Sequence, residues 1–67
     1  MKVSYDRQAD ALSIVLRDVP VADTDEYAAG LILDLDEAGE VVAIEVLDAS
    51  LKTDPNIFIA LATPNPS

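Results

Sequence analysis

The sequence predicts a small α+β domain: an antiparallel sheet of about four strands in a hairpin meander, with one C-terminal helix packed on it. Three observations predict it. Residues 31–47, LILDLDEAGEVVAIEVL, read as two apolar strands folded back across a tight acidic turn, with Val and Ile concentrated in the second arm. Residues 11–17, ALSIVLR, alternate so that Leu12, Ile14 and Leu16 face one way, as a half-buried strand requires. Asp54-Pro55 ahead of an apolar run reads as a helix start, with Asp54 as N-cap and Pro55 at the first helical position.

The central hairpin sets the expected register. A type I turn over Asp36-Glu37-Ala38-Gly39, with Gly39 left-handed, pairs Asp36 with Glu40. Leu35 then pairs with Val41, Asp34 with Val42, Leu33 with Ala43, Ile32 with Ile44 and Leu31 with Glu45. One face carries Leu31, Leu33, Leu35, Val41, Ala43 and Leu47, interrupted by Glu45. The other carries Ile32, Val42, Ile44 and Val46, interrupted by Asp34. Neither face is plainly polar, so cover is expected on both: a helix on one side, a second copy or a partner on the other.

The remaining elements follow in chain order. Residues 2–5 alternate and read as a first strand, hairpinned to residues 11–17 through the polar loop 6–10. Pro20 breaks the chain. Residues 21–27, VADTDEY, are weakly strand-like; Asp23, Asp25 and Glu26 suit an exposed sheet edge or an irregular connection. Ala28-Ala29-Gly30 turns into the central hairpin. Ile57, Phe58 and Leu61, with Ala62 beside them, would form one stripe of a helix about two turns long; an apolar strand over 57–62 is the alternative. The expected domain spans 1–62, with 63–67, TPNPS, as a frayed tail. Leu12, Ile14, Leu16, Ile32, Ile44 and Val46 form the expected core.

Composition bounds the chemistry. The chain has 67 residues, one small domain at most, whose core is marginal. It has no Cys and no His, which removes disulfides, thiolate metal sites and the commonest general base. Self-association or a partner is the expected supplement to stability. Against 13 acidic residues stand 4 basic ones, a net charge of −9. That argues against direct binding of nucleic acid or of an anionic membrane, and it would steer a basic protein towards the domain. No segment has the length of a membrane span and the N-terminus lacks a signal-peptide pattern, so a cytoplasmic protein is expected.

Tyr5-Asp6-x-x-Ala9-Asp10-Ala11-Leu12, then Gly30-x-Ile32-Leu33-Asp34, Asp36-Glu37-x-Gly39, and Ile44-Glu45-Val46-Leu47-Asp48-Ala49-Ser50 resemble an uncharacterised bacterial family, domain of unknown function 2283. The likeness covers residues 1 to about 50. It departs at Ser13 and Val15, where the family pattern has a Tyr-like and a basic residue. The resemblance implies a small, acidic, mainly antiparallel β protein without an assigned activity. It also implies an antitoxin-like role, because some members are encoded beside small basic proteins that look like ribonuclease toxins.

The residues themselves bear on four chemistries. Asp34-x-Asp36-x-x-Gly39 followed by Glu45 overlaps a calcium loop, but Ala38 stands where an oxygen ligand belongs, and the expected register points Asp34 and Glu45 to opposite faces. The same divergence excludes those two as an acid–base pair. Ser50 lacks a base to activate it, and capping of a local turn suits Asp48 and Ser50 better. Tyr5 and Tyr27 lack the basic groove that base stacking needs; core packing with an exposed hydroxyl is expected. No catalytic, cofactor or metal residues are assigned. The expected function is a non-enzymatic interaction module, antitoxin-like, that binds a basic ribonuclease-type toxin through Asp23, Asp25, Glu26 and Glu45. The alternative is a homodimeric structural protein with no toxin partner.

Overall fold

A computed structural model describes residues 1–62, apart from the side chains of Phe58, Leu61 and Ala62. The expected frayed tail, and most of the expected apolar stripe of the last helix, lie outside the described residues. Five strands and two helices follow one another: β1 (Lys2–Asp6), β2 (Ala11–Val15), β3 (Asp23–Ala28), β4 (Leu31–Leu35), β5 (Val41–Leu47), α1 (Ala49–Lys52) and α2 (Pro55–Ala62). The antiparallel sheet with a C-terminal helix is as expected. The counts are corrected from about four strands and one helix to five and two. The fifth strand is the acidic segment β3, and it takes the edge position that its charges suit.

The strand order is β1-β2-β5-β4-β3, antiparallel throughout. A simple meander is therefore overturned. Consecutive strands β2 and β3 do not pair, because β2 docks instead on β5, with Leu12 beside Val46 and Ile14 beside Ile44. That arrangement sets the apolar strand β5 between the apolar strands β2 and β4 and leaves the carboxylates of β3 at the rim. Strand β2 stops at Val15, short of the expected Arg17. Beyond it, the amides of Leu16 and Arg17 both donate to the carbonyl of Val42, at 2.8 and 3.2 Å.

The turn between β4 and β5 forms as the sequence predicts. The Asp36 amide donates to the Glu40 carbonyl at 2.9 Å, the Gly39 amide to the Asp36 carbonyl at 3.0 Å, and Gly39 has φ 81°. Leu35 pairs with Val41 as expected, but Asp34 then pairs with Ala43 instead of Val42. One extra residue on β5 makes a β-bulge. From there on the register slips by one: Leu33 faces Ile44, Ile32 faces Glu45 and Leu31 faces Val46. A slip of one residue moves every side chain to the other face.

The slip sorts the sheet. Leu31, Leu33, Ile44 and Val46 now share a face with Leu12, Ile14, Val3 and Tyr5. Ile32, Asp34, Ala43 and Glu45 share the opposite face with Ser13, Ser4, Thr24 and Glu26. The expected distribution is thus corrected: one face is mainly apolar, with Asp23 and Asp25 at its β3 rim, and the other brings Glu26, Asp34 and Glu45 together. Hydrophobic sorting outweighs a regular ladder, and the irregularity leaves no carbonyl stranded. The Val42 oxygen takes two amides, and the Val41 oxygen accepts from Arg17 Nε and one guanidinium nitrogen, both at 3.3 Å.

Among the described residues, Leu12, Val42, Ala43 and Ala49 are buried. Of the expected core, Leu12 alone is fully buried; Ile14, Ile32, Ile44 and Val46 are half-buried and Leu16 is 41% exposed. Leu16 lies past the end of β2. The others belong to a five-stranded sheet with only two short helices beside it, of which α2 lies against β1. The helical reading of residues 57–62 holds over the strand alternative. Asp54 caps α2, its Oδ1 accepting from the amides of Asn56 at 2.9 Å and Ile57 at 3.4 Å.

Candidate functional site

The polar face is built by the bulge. Asp34 sits in β4 opposite Ala43, and Glu45 in β5 opposite Ile32, so the two carboxylates are diagonal neighbours on one side of the sheet. This overturns the divergence expected from a regular hairpin. Both side chains are half-buried. Burial raises the Glu45 carboxyl above its ordinary range, and the negative charge of Asp34 and a hydrogen bond with it raise it further. On the neighbouring strand Thr24 stands opposite Asp34, and its hydroxyl donates to Asp34 Oδ1 at 3.2 Å. Glu26 stands opposite Ile32, and Ser13 opposite Glu45.

The four residues expected to meet a partner are divided by the pleat. Glu26 and Glu45 lie on this polar face. Asp23 and Asp25 pair with Leu35 and Leu33, and so alternate to the other side of the edge strand. Asp34 joins the site although it was not assigned to it. The Val41-Val42 doublet was the available signal: alternation that restarts after two adjacent apolar residues marks a bulge.

Among the described residues no ion pair neutralises Glu26, Asp34 or Glu45. The described ion pair is Arg17 with Asp36, at 2.8 Å, and Lys52 donates to the Ala29 carbonyl at 2.8 Å. No group of three or more His, Cys, Asp or Glu among the described residues could hold a metal ion. Divergence of Asp34 and Glu45 no longer argues against calcium, but Asp36 does. Its Oδ1 accepts from the amides of Ala38 and Glu40, at 3.0 and 2.9 Å, and its Oδ2 accepts from Arg17. The Arg17 bond first, and the Glu40 amide next, hold this carboxyl below its ordinary range. Two shallow depressions in the surface, one along Val19, Pro20, Val21 and Ala22 and one along Met1, Lys2 and Val15, include neither Asp34 nor Glu45.

A second polar cluster surrounds Asp10, which has φ 51°. Tyr5 donates its hydroxyl to Asp10 Oδ1 at 2.6 Å. The Ser50 amide donates to Oδ1 at 3.1 Å and its hydroxyl to Oδ2 at 2.7 Å, while the Ala49 amide donates to the Asp10 carbonyl at 2.9 Å. The Tyr5 bond above all, then the Ser50 bond, lowers the Asp10 carboxyl. Ser50 thus does not cap a local turn, and Asp48 at φ 52° makes no side-chain cap bond. The cluster ties the start of α1 to the β1–β2 loop, where Asp6 Oδ1 accepts from the amides of Gln8 and Ala9.

Among the described residues the fold is thus a small five-stranded antiparallel sheet with two short helices near the C-terminus. The chain belongs to the family described as protein of unknown function (DUF2283), whose model matches residues 2–50. Neither curated proteins nor solved structures give a match.

Proposed function

We propose that this protein is a non-enzymatic interaction module of the cytoplasm. It offers the face around Glu26, Asp34 and Glu45, with Asp23 and Asp25 on the adjoining rim, to a basic protein. An antitoxin-like protein that covers a ribonuclease-type toxin would work in this way, and the family resemblance implies that partner class. One observation carries the reading: Glu45 is held half-buried beside Asp34, and among the described residues no ion pair neutralises either carboxylate. Two carboxylates so placed repel each other, and an Arg or Lys from a partner would relieve the repulsion while gaining charge-assisted hydrogen bonds. A net charge of −9 would steer such a partner towards the surface.

The test is co-purification from the source cell, followed by capture kinetics with a basic protein retained in that step. Asp34→Asn with Glu45→Gln should slow association and flatten its salt dependence, because steering by these charges is screened as ionic strength rises. A double variant that binds at the wild-type rate with the wild-type salt dependence refutes the site.

A second reading, a homodimer, rests on a different observation. The apolar face carries Val3, Ile14, Leu31, Leu33, Ile44 and Val46, all only half-buried in the single chain. Burying such a patch against its own copy would add stability that the small core lacks, and it would be nearly insensitive to salt. Sedimentation at low and high salt decides it: the same dimer in both buffers supports the reading, and a monomer in both at high micromolar concentration refutes it.

A further inference from the structure

We propose that the open edge of β3 accepts an extended segment of the basic partner, bearing Lys or Arg, as a sixth strand of the sheet. The inference rests on the acidic-surface reading above and names how the partner is held.

The two rims of the sheet differ. Helix α2 lies against β1 at one rim. At the other, all six residues of β3 are exposed. The backbone directions follow from the hydrogen bonds at the two ends of β4. The Asp36 amide donates to Glu40 and the Gly30 carbonyl accepts from Leu47, so even-numbered residues of β4 turn their backbone groups towards β5. Leu33 and Leu35 therefore turn theirs towards β3, where Asp25 and Asp23 stand opposite them. That leaves Thr24 and Glu26, ahead of the irregularity between Glu26 and Ala28, with amides and carbonyls directed outwards, a short template for another strand. The Thr24 amide meets the Asp23 carboxylate at 2.9 Å, an exposed contact that an incoming carbonyl can displace.

Charge selects the occupant. On an added strand, side chains of one face come beside Asp23 and Asp25, and those of the other come beside Thr24 and Glu26. A cationic residue on either face meets a carboxylate. A second copy of β3 would instead set Asp23, Asp25 and Glu26 against the same residues, and like charges across a strand pair are destabilising. Exposed Val21 and Tyr27 flank the edge and offer apolar contact at its two ends.

The experiment titrates the full chain, at low salt, with an eight-residue peptide alternating Lys and Thr. A twin peptide of the same charge, N-methylated at alternate amides on its pairing side, serves as comparison. Amide NMR signals of Thr24 and Glu26 should shift with the first peptide, and the twin should bind at least about tenfold more weakly for its lost ladder bonds. Thr24→Pro removes an outward amide, keeps every carboxylate, and should weaken the first peptide to a similar extent. Equal binding of the two peptides would overturn edge pairing while leaving the acidic surface in force. Binding of neither peptide contradicts both readings. Should Thr24→Pro fail to fold, the comparison of the two peptides decides alone.

Discussion

Leu12→Ala should remove much of the protein's stability. Leu12 is 1% exposed and lies between Tyr5 and Val46 on the apolar face, so truncation leaves a cavity that the surrounding sheet cannot close. Large-to-small changes at such sites cost about 2–5 kcal/mol. A chain of 67 residues has a total stability of roughly 3–10 kcal/mol, so the loss is a large share of the whole. Ile44→Ala should cost less, because Ile44 is only half-buried and water already reaches its rim. Urea denaturation of the two variants checks the ranking. An Ile44→Ala variant as unstable as Leu12→Ala would mean that the apolar face is covered, as a dimer would cover it.

Arg17→Ala should be the second most damaging change, and its effect should depend on pH. The Arg17 side chain bonds both the Asp36 carboxylate and the Val41 carbonyl, so it ties the bulge to the turn. Removing it leaves the carbonyl without its partner and Asp36 without its cation. Asp36 has a depressed pKa in the folded protein. It therefore contributes stability above the unfolded carboxylate pKa and loses it as pH falls through the lower folded one. In the variant that acid-side contribution shrinks, so wild type and variant should converge in melting temperature as the solution is acidified. Arg17→Lys keeps the charge but not the planar fork, and should fall between them. A constant difference in melting temperature from neutral to acid pH would show that the ion pair adds nothing and that only packing was lost.

The parts of the fold that were legible in the sequence are those set by local chemistry. The acidic turn at Asp36 and Gly39, the Asp54 cap and the charged edge at Asp23–Ala28 each follow from residues within a few positions of one another. What was not legible is set by partners distant in sequence. The pairing of β2 with β5 and the bond from Ser50 to Asp10, 40 residues apart, cannot be read from periodicity. The bulge is the instructive case. The turn determines the register only as far as Leu35 and Val41; beyond that, the gain from gathering Leu31, Leu33, Ile44 and Val46 on one face exceeds the cost of one irregular step. That step reverses the relation of Asp34 to Glu45, and the candidate site depends on it.

The same relation offers the sharpest measurement. Carboxyl carbon NMR can follow Glu45 through its titration in the wild type and in Asp34→Asn. With both groups on one face, the Glu45 midpoint should lie above that of an ordinary glutamate and should fall when Asp34 loses its charge, leaving the part of the shift that burial causes. A Glu45 midpoint that is ordinary in the wild type, or unmoved by Asp34→Asn, would place the two carboxylates on opposite faces and contradict the bulged register and the acidic site built upon it.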